Sequence, residues 1–210
     1  TWRTQDQALI SLWNEVRTRS DMITEKLVIN GPYSEDIGPN VFKREYEDEV
    51  ILCLNYDGKF GLNNMNNYFQ AANTKSEAVS WAEWTYKIGD PILFDLLYNN
   101  LKGCIVNIER SSNSISFTVD VDIPLTEVAC RRDGIEFVET VENGTRIRFE
   151  VYEYDERLKE ENEDLRLKSV VPFQLAYAVS IHKAQGLEYD SVKVIIPSNN
   201  AEKITHGVFY

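Results

Sequence analysis

The segment SIHKAQGLEYD, residues 180–190, decides the predicted fold of this chain. It follows an apolar run at 175–179 and precedes a second apolar run at 192–196. Each run predicts a buried strand, because short apolar runs bounded by polar or turn residues are typical of sheet interiors. Two strands connected through a short helix are expected to be parallel neighbours in one sheet. Residues 180–186 are therefore predicted to lie at the carboxyl end of that sheet.

Polar and flexible residues are concentrated in this segment: Ser180, His182, Lys183, Gln185, Gly186 and Glu188. A corner between a strand and a helix often contacts phosphate, since the first N–H groups of the helix are unpaired and point outward. An ordinary connection, in which the polar side chains bond their own backbone, is the alternative.

The segment resembles motif V of the superfamily 1 helicases of the UvrD, Rep and RecD type. In that family, motif V contacts the backbone of single-stranded DNA on one side and ATP on the other. The resemblance implies that three residues bind nucleic acid, namely Ser180, His182 and Lys183. It implies that three others bind ATP, namely Gln185, Gly186 and Glu188. In this interpretation the carboxylate bonds the ribose, and the glycine lets the main chain approach the phosphates.

The start of the chain carries a second match. Trp2, Arg3 and Thr4 resemble the aromatic-Arg-Ser/Thr motif that opens the second motor domain of these helicases. The resemblance implies that Trp2 stacks on adenine and that Arg3 is a catalytic contact of the γ-phosphate, for which a planar guanidinium is suited. The alternative is a capping box of Thr4 and Gln7 that begins an amphipathic helix at 5–19. Both interpretations are compatible.

A third polar segment, residues 55–64, resembles part of one UvrD-like subgroup. It lies between a predicted strand at 50–54 and a predicted helix at 63–70. We expect Asn55 and Tyr56 to contact nucleic acid, because the ring of Tyr56 or of Phe60 can stack on a base and an amide can bond a phosphate oxygen. An asparagine-rich turn and helix cap is the alternative.

Beyond Gly89 the pattern predicts antiparallel strands. Apolar and polar residues alternate strictly at 115–123, further strands are predicted at 105–108, 135–141 and 147–151, and Asn143-Gly144 signals a hairpin. The pair Gly89-Asp90, with Asn99, Asn100 and Gly103, resembles the start of the SH3-like insertion of RecD-type helicases. Asn100 is followed by leucine where that pattern has glycine, and a plain β-barrel with glycine turns is the alternative.

Together these features predict an α/β fold. The resemblance implies a RecA-like parallel-sheet domain of the P-loop NTPase type, built from residues 1–88 plus 168–210. A small antiparallel β-barrel with a charged linker, residues 89–167, is expected to interrupt it.

Composition restricts the classes of function. The 210 residues carry a net charge of −12, which argues against a domain that coats nucleic acid, although a DNA track can be a narrow strip. Two histidines, three scattered cysteines and acidic runs without ligand spacing predict no metal site. We expect a cytoplasmic protein with reduced thiols and no contact with a membrane, since neither a signal peptide nor a membrane span is recognisable.

The chain contains neither a G-x-x-x-x-G-K-[ST] phosphate loop nor a strand that ends in an Asp-Glu pair for Mg²⁺. In the family both lie on a first RecA-like domain. We therefore expect the C-terminal half of an ATP-dependent DNA helicase, which is inactive alone. Its expected partners are ATP with Mg²⁺, single-stranded DNA and the absent N-terminal RecA-like domain. A non-catalytic protein-interaction module on an α/β scaffold is the alternative, and a phosphate loop elsewhere in the polypeptide would distinguish the two.

Overall fold

This computed structural model describes residues 48–58, 61–95, 101–153 and 169–195, together with the helical, exposed Gln7. Three strands form a parallel sheet in the order β10–β1–β11. The strands are β1 (Glu49–Cys53), β10 (Ala178–Ser180) and β11 (Ser191–Ile195). Cys53 of the central strand is aligned with Ser180 on one side and Ile195 on the other. The carboxyl ends of all three strands therefore lie at one edge of the sheet.

The predicted pairing of the runs at 175–179 and 192–196 is wrong in two respects. First, β1 lies between β10 and β11, so the two predicted strands share a sheet without being neighbours. Second, the run at 175–179 is divided between two sheets, because Leu175 ends another strand, β9 (Phe173–Leu175). The chain changes sheets at the next two residues: the Ala176 N–H donates to the Pro91 carbonyl at 2.8 Å, and the Tyr177 carbonyl accepts from the Ile51 N–H at 3.2 Å.

The second large sheet has six antiparallel strands in the order β7–β8–β6–β5–β4–β9. Besides β9 its strands are β4 (Pro91–Phe94), β5 (Lys102–Arg110), β6 (Ser114–Val121), β7 (Glu136–Val141) and β8 (Gly144–Tyr152). The strands expected at 105–108, 115–123, 135–141 and 147–151 are confirmed, and so is the hairpin between β7 and β8, where Val141 faces Gly144.

A closed barrel is not observed in the described part of the chain, because β7 and β9 are the two outer strands of this sheet. β9 also lies beyond the predicted boundary of the insertion at residue 167. The division of the chain into domains at 1–88 plus 168–210 and at 89–167 stays a prediction. A unit of antiparallel strands between β1 and β10 is observed.

The remaining elements connect or cover the sheets. Helix α1 (Leu62–Ala72) confirms the helix predicted at 63–70. A small hairpin of β2 (Val79–Trp81) and β3 (Trp84–Tyr86) and the helix α2 (Glu127–Arg132) were not predicted. A single turn, α3 (Ile181–Ala184), follows β10. In the described residues no helix is long and apolar enough to cross a membrane.

The two large sheets have different cores. The antiparallel sheet covers a cluster dominated by aromatic rings: Tyr86, Phe94, Phe117, Phe149 and Phe173. The parallel sheet packs one face against α1 through Leu62 and Met65. Its other face packs Val50 and Val179 against Leu93 of β4, so this small cluster joins the two sheets.

Candidate functional site

The corner after β10 begins with a helix cap. Ser180 is the last residue of β10, and its hydroxyl accepts a hydrogen bond from the Lys183 N–H at 3.3 Å. This bond satisfies one of the unpaired donors at the start of α3, as serine commonly does at this position. His182, two residues further on, is exposed. The structure thus places Ser180 inside the corner and His182 on its surface.

A tight turn follows α3 and explains the glycine in this segment. Gln185 has φ −61° and ψ 122°, Gly186 has φ +86°, and the Leu187 N–H bonds the Ala184 carbonyl at 3.0 Å. These are the dihedral angles of a type II turn, which requires a positive φ at its third residue. Apart from residues 185–187 themselves, no heavy atom lies within 4 Å of the position that a Cβ at residue 186 would occupy. Backbone conformation, not lack of space, therefore favours glycine, and the turn exposes its main chain.

Lys183 points away from this turn, towards the antiparallel sheet. Its amine pairs with the Asp95 carboxylate at 2.6 Å and donates to the Gln174 side-chain oxygen at 2.8 Å. Its contact with nucleic acid stays a prediction, and in this structure the amine pairs with an anionic partner.

The segment from Gly186 to Asp190 borders a cleft of about 660 Å³ between the two large sheets. The Glu188 side chain is exposed, and its backbone carbonyl accepts a hydrogen bond from the Lys102 amine at 2.8 Å. Tyr189 packs beside the cluster that joins the sheets. Burial, together with the nearby carboxylates of Asp48 and Asp122, raises the pKa of Tyr189 to about 12.

The loop after β1 carries the second set of predicted contact residues. The carbonyls of Asn55 and Tyr56 accept hydrogen bonds from the N–H groups of Leu62 and Asn63 at 2.9 and 3.1 Å. The loop therefore caps α1 with its backbone, as the turn-and-cap alternative expected. The side chains of Asn55 and Tyr56 remain exposed, and the tyrosine is 53% exposed. Backbone capping and a side-chain contact with a ligand are thus compatible here.

The parallel sheet brings the starts of these two segments to the same edge, whereas residues 187–190 lead back to the amino end of β1, where the Asp190 N–H bonds the Asp48 carbonyl. Cys53 and Ser180 are aligned partners in adjacent strands, so the loop that begins at residue 54 and the turn that begins at residue 181 leave the sheet side by side. Asn66 of α1 fixes this arrangement, because its side-chain amide bonds both the N–H and the carbonyl of Ala178, at 2.9 and 3.0 Å.

Asp90 is a key residue whose role sequence reasoning missed. It is fully buried, and its carboxylate accepts four hydrogen bonds, from Gln70 at 2.6 Å and from Asn73, Tyr177 and the Lys87 N–H at 2.8 Å each. The Gly-Asp pair drew attention in the sequence, but its partners come from α1, the end of the β2–β3 hairpin and the chain before β10. The pattern of residues around position 90 does not indicate hydrogen bonds to residues that are distant along the chain.

Some predicted residues cannot be placed. Trp2, Arg3 and Thr4 lie outside the described residues, as do Phe60, Asn99 and Asn100. In the part of the chain that the structure describes, no group of three or more His, Cys, Asp or Glu side chains is arranged to hold a metal ion.

Comparison with known proteins relates this fold to helicases, although no family model matches the chain. The chain is 24% identical over 191 residues to the RecBCD enzyme subunit RecD of Buchnera aphidicola subsp. Acyrthosiphon pisum, an alignment that covers 84% of this chain and 26% of that protein. The Pif1 helicase from Candida albicans superimposes with a TM-score of 0.52 at 13% identity, covering 98% of this chain and 50% of that one. Pif1 from Bacteroides sp in complex with ADP-AlF4 gives 0.41 at 15% identity, over 94% and 45%.

The chain therefore has an α/β fold similar to that of the Pif1 helicase from Candida albicans. It spans about a quarter of the curated relative and about half of the solved helicases that it matches.

Proposed function

We propose that this chain is the C-terminal motor region of an ATP-dependent DNA helicase of the UvrD-like group, with an SH3-like antiparallel insertion. An N-terminal RecA-like domain of the same polypeptide would supply the phosphate loop and the Mg²⁺ ligands. The observation that carries the proposal is the shared carboxyl edge of the parallel sheet, where the loop that begins at residue 54 and the turn that begins at residue 181 leave adjacent strands side by side. Ligands of open parallel sheets bind at the carboxyl ends of their strands.

Single-stranded DNA is proposed to run along this edge. Tyr56 presents an exposed ring on which a base can stack, and Asn55 presents an amide beside it. Ser180 accepts the helix-capping bond and keeps its own hydroxyl proton for a phosphate oxygen, while His182 is exposed for a second contact. Lys183 would contact DNA only by exchanging the Asp95 carboxylate for a phosphate.

ATP is proposed to bind on the other side of the type II turn. The exposed main chain of Gln185 and Gly186 would approach the phosphates, and the exposed Glu188 carboxylate would accept hydrogen bonds from the ribose hydroxyls. Trp2 would stack on the adenine, and Arg3 would bond the γ-phosphate. The nucleotide supplies the phosphoryl group whose transfer to water drives movement, and Arg3 would stabilise the negative charge that develops during that transfer.

Two substitutions in the full-length protein test these separate roles. Arg3→Ala should lower kcat for ATP hydrolysis by about 10²–10³-fold, because one charge-stabilising donor is lost, and should leave DNA affinity nearly unchanged. His182→Ala should weaken DNA affinity and the stimulation of ATPase by single-stranded DNA, with a modest effect on the rate without DNA. Steady-state ATPase rates and DNA binding at fixed salt measure both.

Arg131→Ala is the matched control, because Arg131 is exposed on α2 and its ion pair with Glu127 is local. It should change neither quantity. A near-wild-type ATPase rate for Arg3→Ala would contradict the proposed γ-phosphate contact and would support the helix-cap interpretation of residues 2–4. If His182→Ala were also silent, the non-catalytic protein-interaction module would become the better interpretation.

A further inference from the structure

Lys102, the first residue of β5, reaches across the cleft to the segment that follows the type II turn. Its amine donates to the Glu188 carbonyl at 2.8 Å and to the Asp48 carboxylate at 2.9 Å. It also lies 4.5 Å from the centre of the Tyr189 ring and 3.5 Å from an oxygen of Asp122. One side chain of the antiparallel sheet thus contacts the residue before β1, the residue after β6 and the segment at 188–189.

These contacts hold the middle of a segment that also packs Leu187 and Tyr189 beside the cluster that joins the sheets. At its start the Leu187 N–H bonds the Ala184 carbonyl, and at its end the Asp190 N–H bonds the Asp48 carbonyl at 3.0 Å. Residues 187–190 belong to no helix or strand. Between these two points, the Lys102 amine donates a hydrogen bond to the Glu188 carbonyl. Its side chain is only 21% exposed, which strengthens hydrogen bonds from a charged donor and its attraction to the tyrosine ring.

We infer that Lys102 is a positioning residue: it holds residues 186–189 in the conformation that binds nucleotide, so the antiparallel sheet sets the affinity of the parallel-sheet site for ATP. This inference rests on the proposed role of Glu188. It adds to that role a physical connection between the sheets, made by a residue whose amine is bonded to protein oxygens.

The connection predicts a particular kinetic signature. Without the Lys102 amine, the segment samples more conformations, and the nucleotide must order it on binding, which lowers affinity. The transfer step itself depends on groups elsewhere, so a bound nucleotide should react at nearly the normal rate. Loss of Lys102 should therefore raise KM for ATP much more than it lowers kcat.

The test uses three variants of the full-length protein. Lys102→Met keeps the aliphatic stem and removes the charge, Lys102→Arg restores a charged donor, and Lys87→Met is the control. Lys87 also bonds two backbone carbonyls, those of Gln70 and Asn73 at 2.9 and 2.8 Å, but at the end of α1. Amide hydrogen exchange at residues 187–191 without nucleotide, and KM and kcat with saturating single-stranded DNA, are measured for each. A thermal melt verifies that each variant is folded.

Lys102→Met should lose exchange protection at residues 187–191 and raise KM by on the order of five- to tenfold, with kcat within about twofold of the wild type. Lys102→Arg should recover most of both changes, and Lys87→Met should leave KM unchanged. Unchanged protection in Lys102→Met would overturn the inference whatever the function of the protein.

A fourth variant, Glu188→Ala, separates this inference from the proposed function. If Glu188→Ala raises KM while Lys102→Met does not, the positioning role is overturned and the nucleotide site stands. If Glu188→Ala leaves KM unchanged, the proposed nucleotide contact fails, and with it the inferred effect of Lys102 on ATP affinity.

Discussion

The two large sheets differ in width, in the packing of their cores and in the exposure of their polar residues. The antiparallel sheet is wide and packs interlocking aromatic rings, with the Phe117 centroid 5.1 Å from both Tyr86 and Phe173. The parallel sheet has three short strands, small packing clusters and an edge from which exposed polar residues project. The contrast shows how a stable scaffold and an exposed, adaptable edge are built from one chain.

Polar contacts reinforce the small apolar cluster where the two sheets meet. Asp90 gathers donors from α1 and from Tyr177, the residue before β10. Lys102 and Lys183 each cross from one sheet to the other. Directional bonds of this kind fix geometry more sharply than apolar packing does, because they weaken steeply with distance and angle. We therefore expect core substitutions to change mainly stability, and substitutions at the junction to change stability and geometry together.

Phe117→Ala should produce the largest loss of stability, about 4 kcal/mol in the free energy of unfolding. Phe117 is fully buried and touches several aromatic rings, so truncation leaves a cavity that rigid neighbours cannot fill. Met65→Ala, in the smaller core of the parallel sheet, should cost about 2–3 kcal/mol, because the side chain removed is smaller than a phenylalanine ring and leaves a smaller cavity. Urea unfolding measures both. An equal or larger loss for Met65→Ala would contradict the contrast between the two cores.

Asp90→Asn should cost about 2–3 kcal/mol, although it changes the side chain very little in size. One oxygen of Asp90 accepts from Gln70 and the Lys87 N–H, and the other from Asn73 and Tyr177. An asparagine N–H₂ group must replace one of these oxygens and would face two donors, whichever way it is turned. Urea unfolding again measures the loss. A neutral result would mean that this junction does not hold the sheets together.

Glu142→Gln is the control for that substitution. Glu142 is exposed in the turn between β7 and β8, so its conversion to an amide should change the unfolding free energy by no more than about 0.5 kcal/mol.

The antiparallel sheet could be predicted from the sequence because one of its faces is buried, and the same burial stabilises it. One face of β6 packs on the aromatic core and the other is less buried, so residues 115–121 alternate in burial as they do in hydrophobicity. The run at 175–179 shows no alternation: half-buried Leu175 ends β9, buried Ala176 and Tyr177 belong to neither sheet, and the buried residues 178–179 belong to β10. Periodicity cannot reveal where a continuous apolar run changes sheets.

Two elements were missed for different reasons. The β2–β3 hairpin turns at Ala82-Glu83, and Ala82 adopts φ +51° without the glycine or asparagine that usually signals such a turn. Helix α2 did carry a signal: the Thr126 hydroxyl caps the Ala129 N–H at 3.2 Å, and an acidic residue follows in the first turn.

The candidate site, too, could be predicted from the sequence only in part. Ser180 to Glu188 could be singled out because their order along the chain is itself the pattern. Asp90 and Lys102 could not be assigned their partners, since those partners lie up to 87 residues away along the chain. Only the folded arrangement brings them together.

Removing one hydroxyl group on either side of the sheet junction should change stability less than Asp90→Asn does. The Tyr177 hydroxyl donates to buried Asp90 at 2.8 Å, so Tyr177→Phe should cost about 1–2 kcal/mol. The Tyr189 hydroxyl is buried and has no hydrogen-bond partner among the described residues, so Tyr189→Phe should be neutral or stabilise the protein by up to about 1 kcal/mol. The two variants delete the same atom, and their opposite outcomes would distinguish a bonded hydroxyl from an unbonded one.

Alkaline pH sharpens this last comparison. The pKa of Tyr189 is raised to about 12, above the ordinary tyrosine value of 10, so the folded state holds the phenolic proton more tightly than the unfolded chain does. Its contribution to stability is therefore complete below pH 10 and is lost as the pH rises from 10 to 12. Tyr189→Phe should lose less stability than the wild type over that interval, measured by urea unfolding at several pH values. An identical alkaline loss in both proteins would show that Tyr189 is not held neutral by burial and by the carboxylates of Asp48 and Asp122.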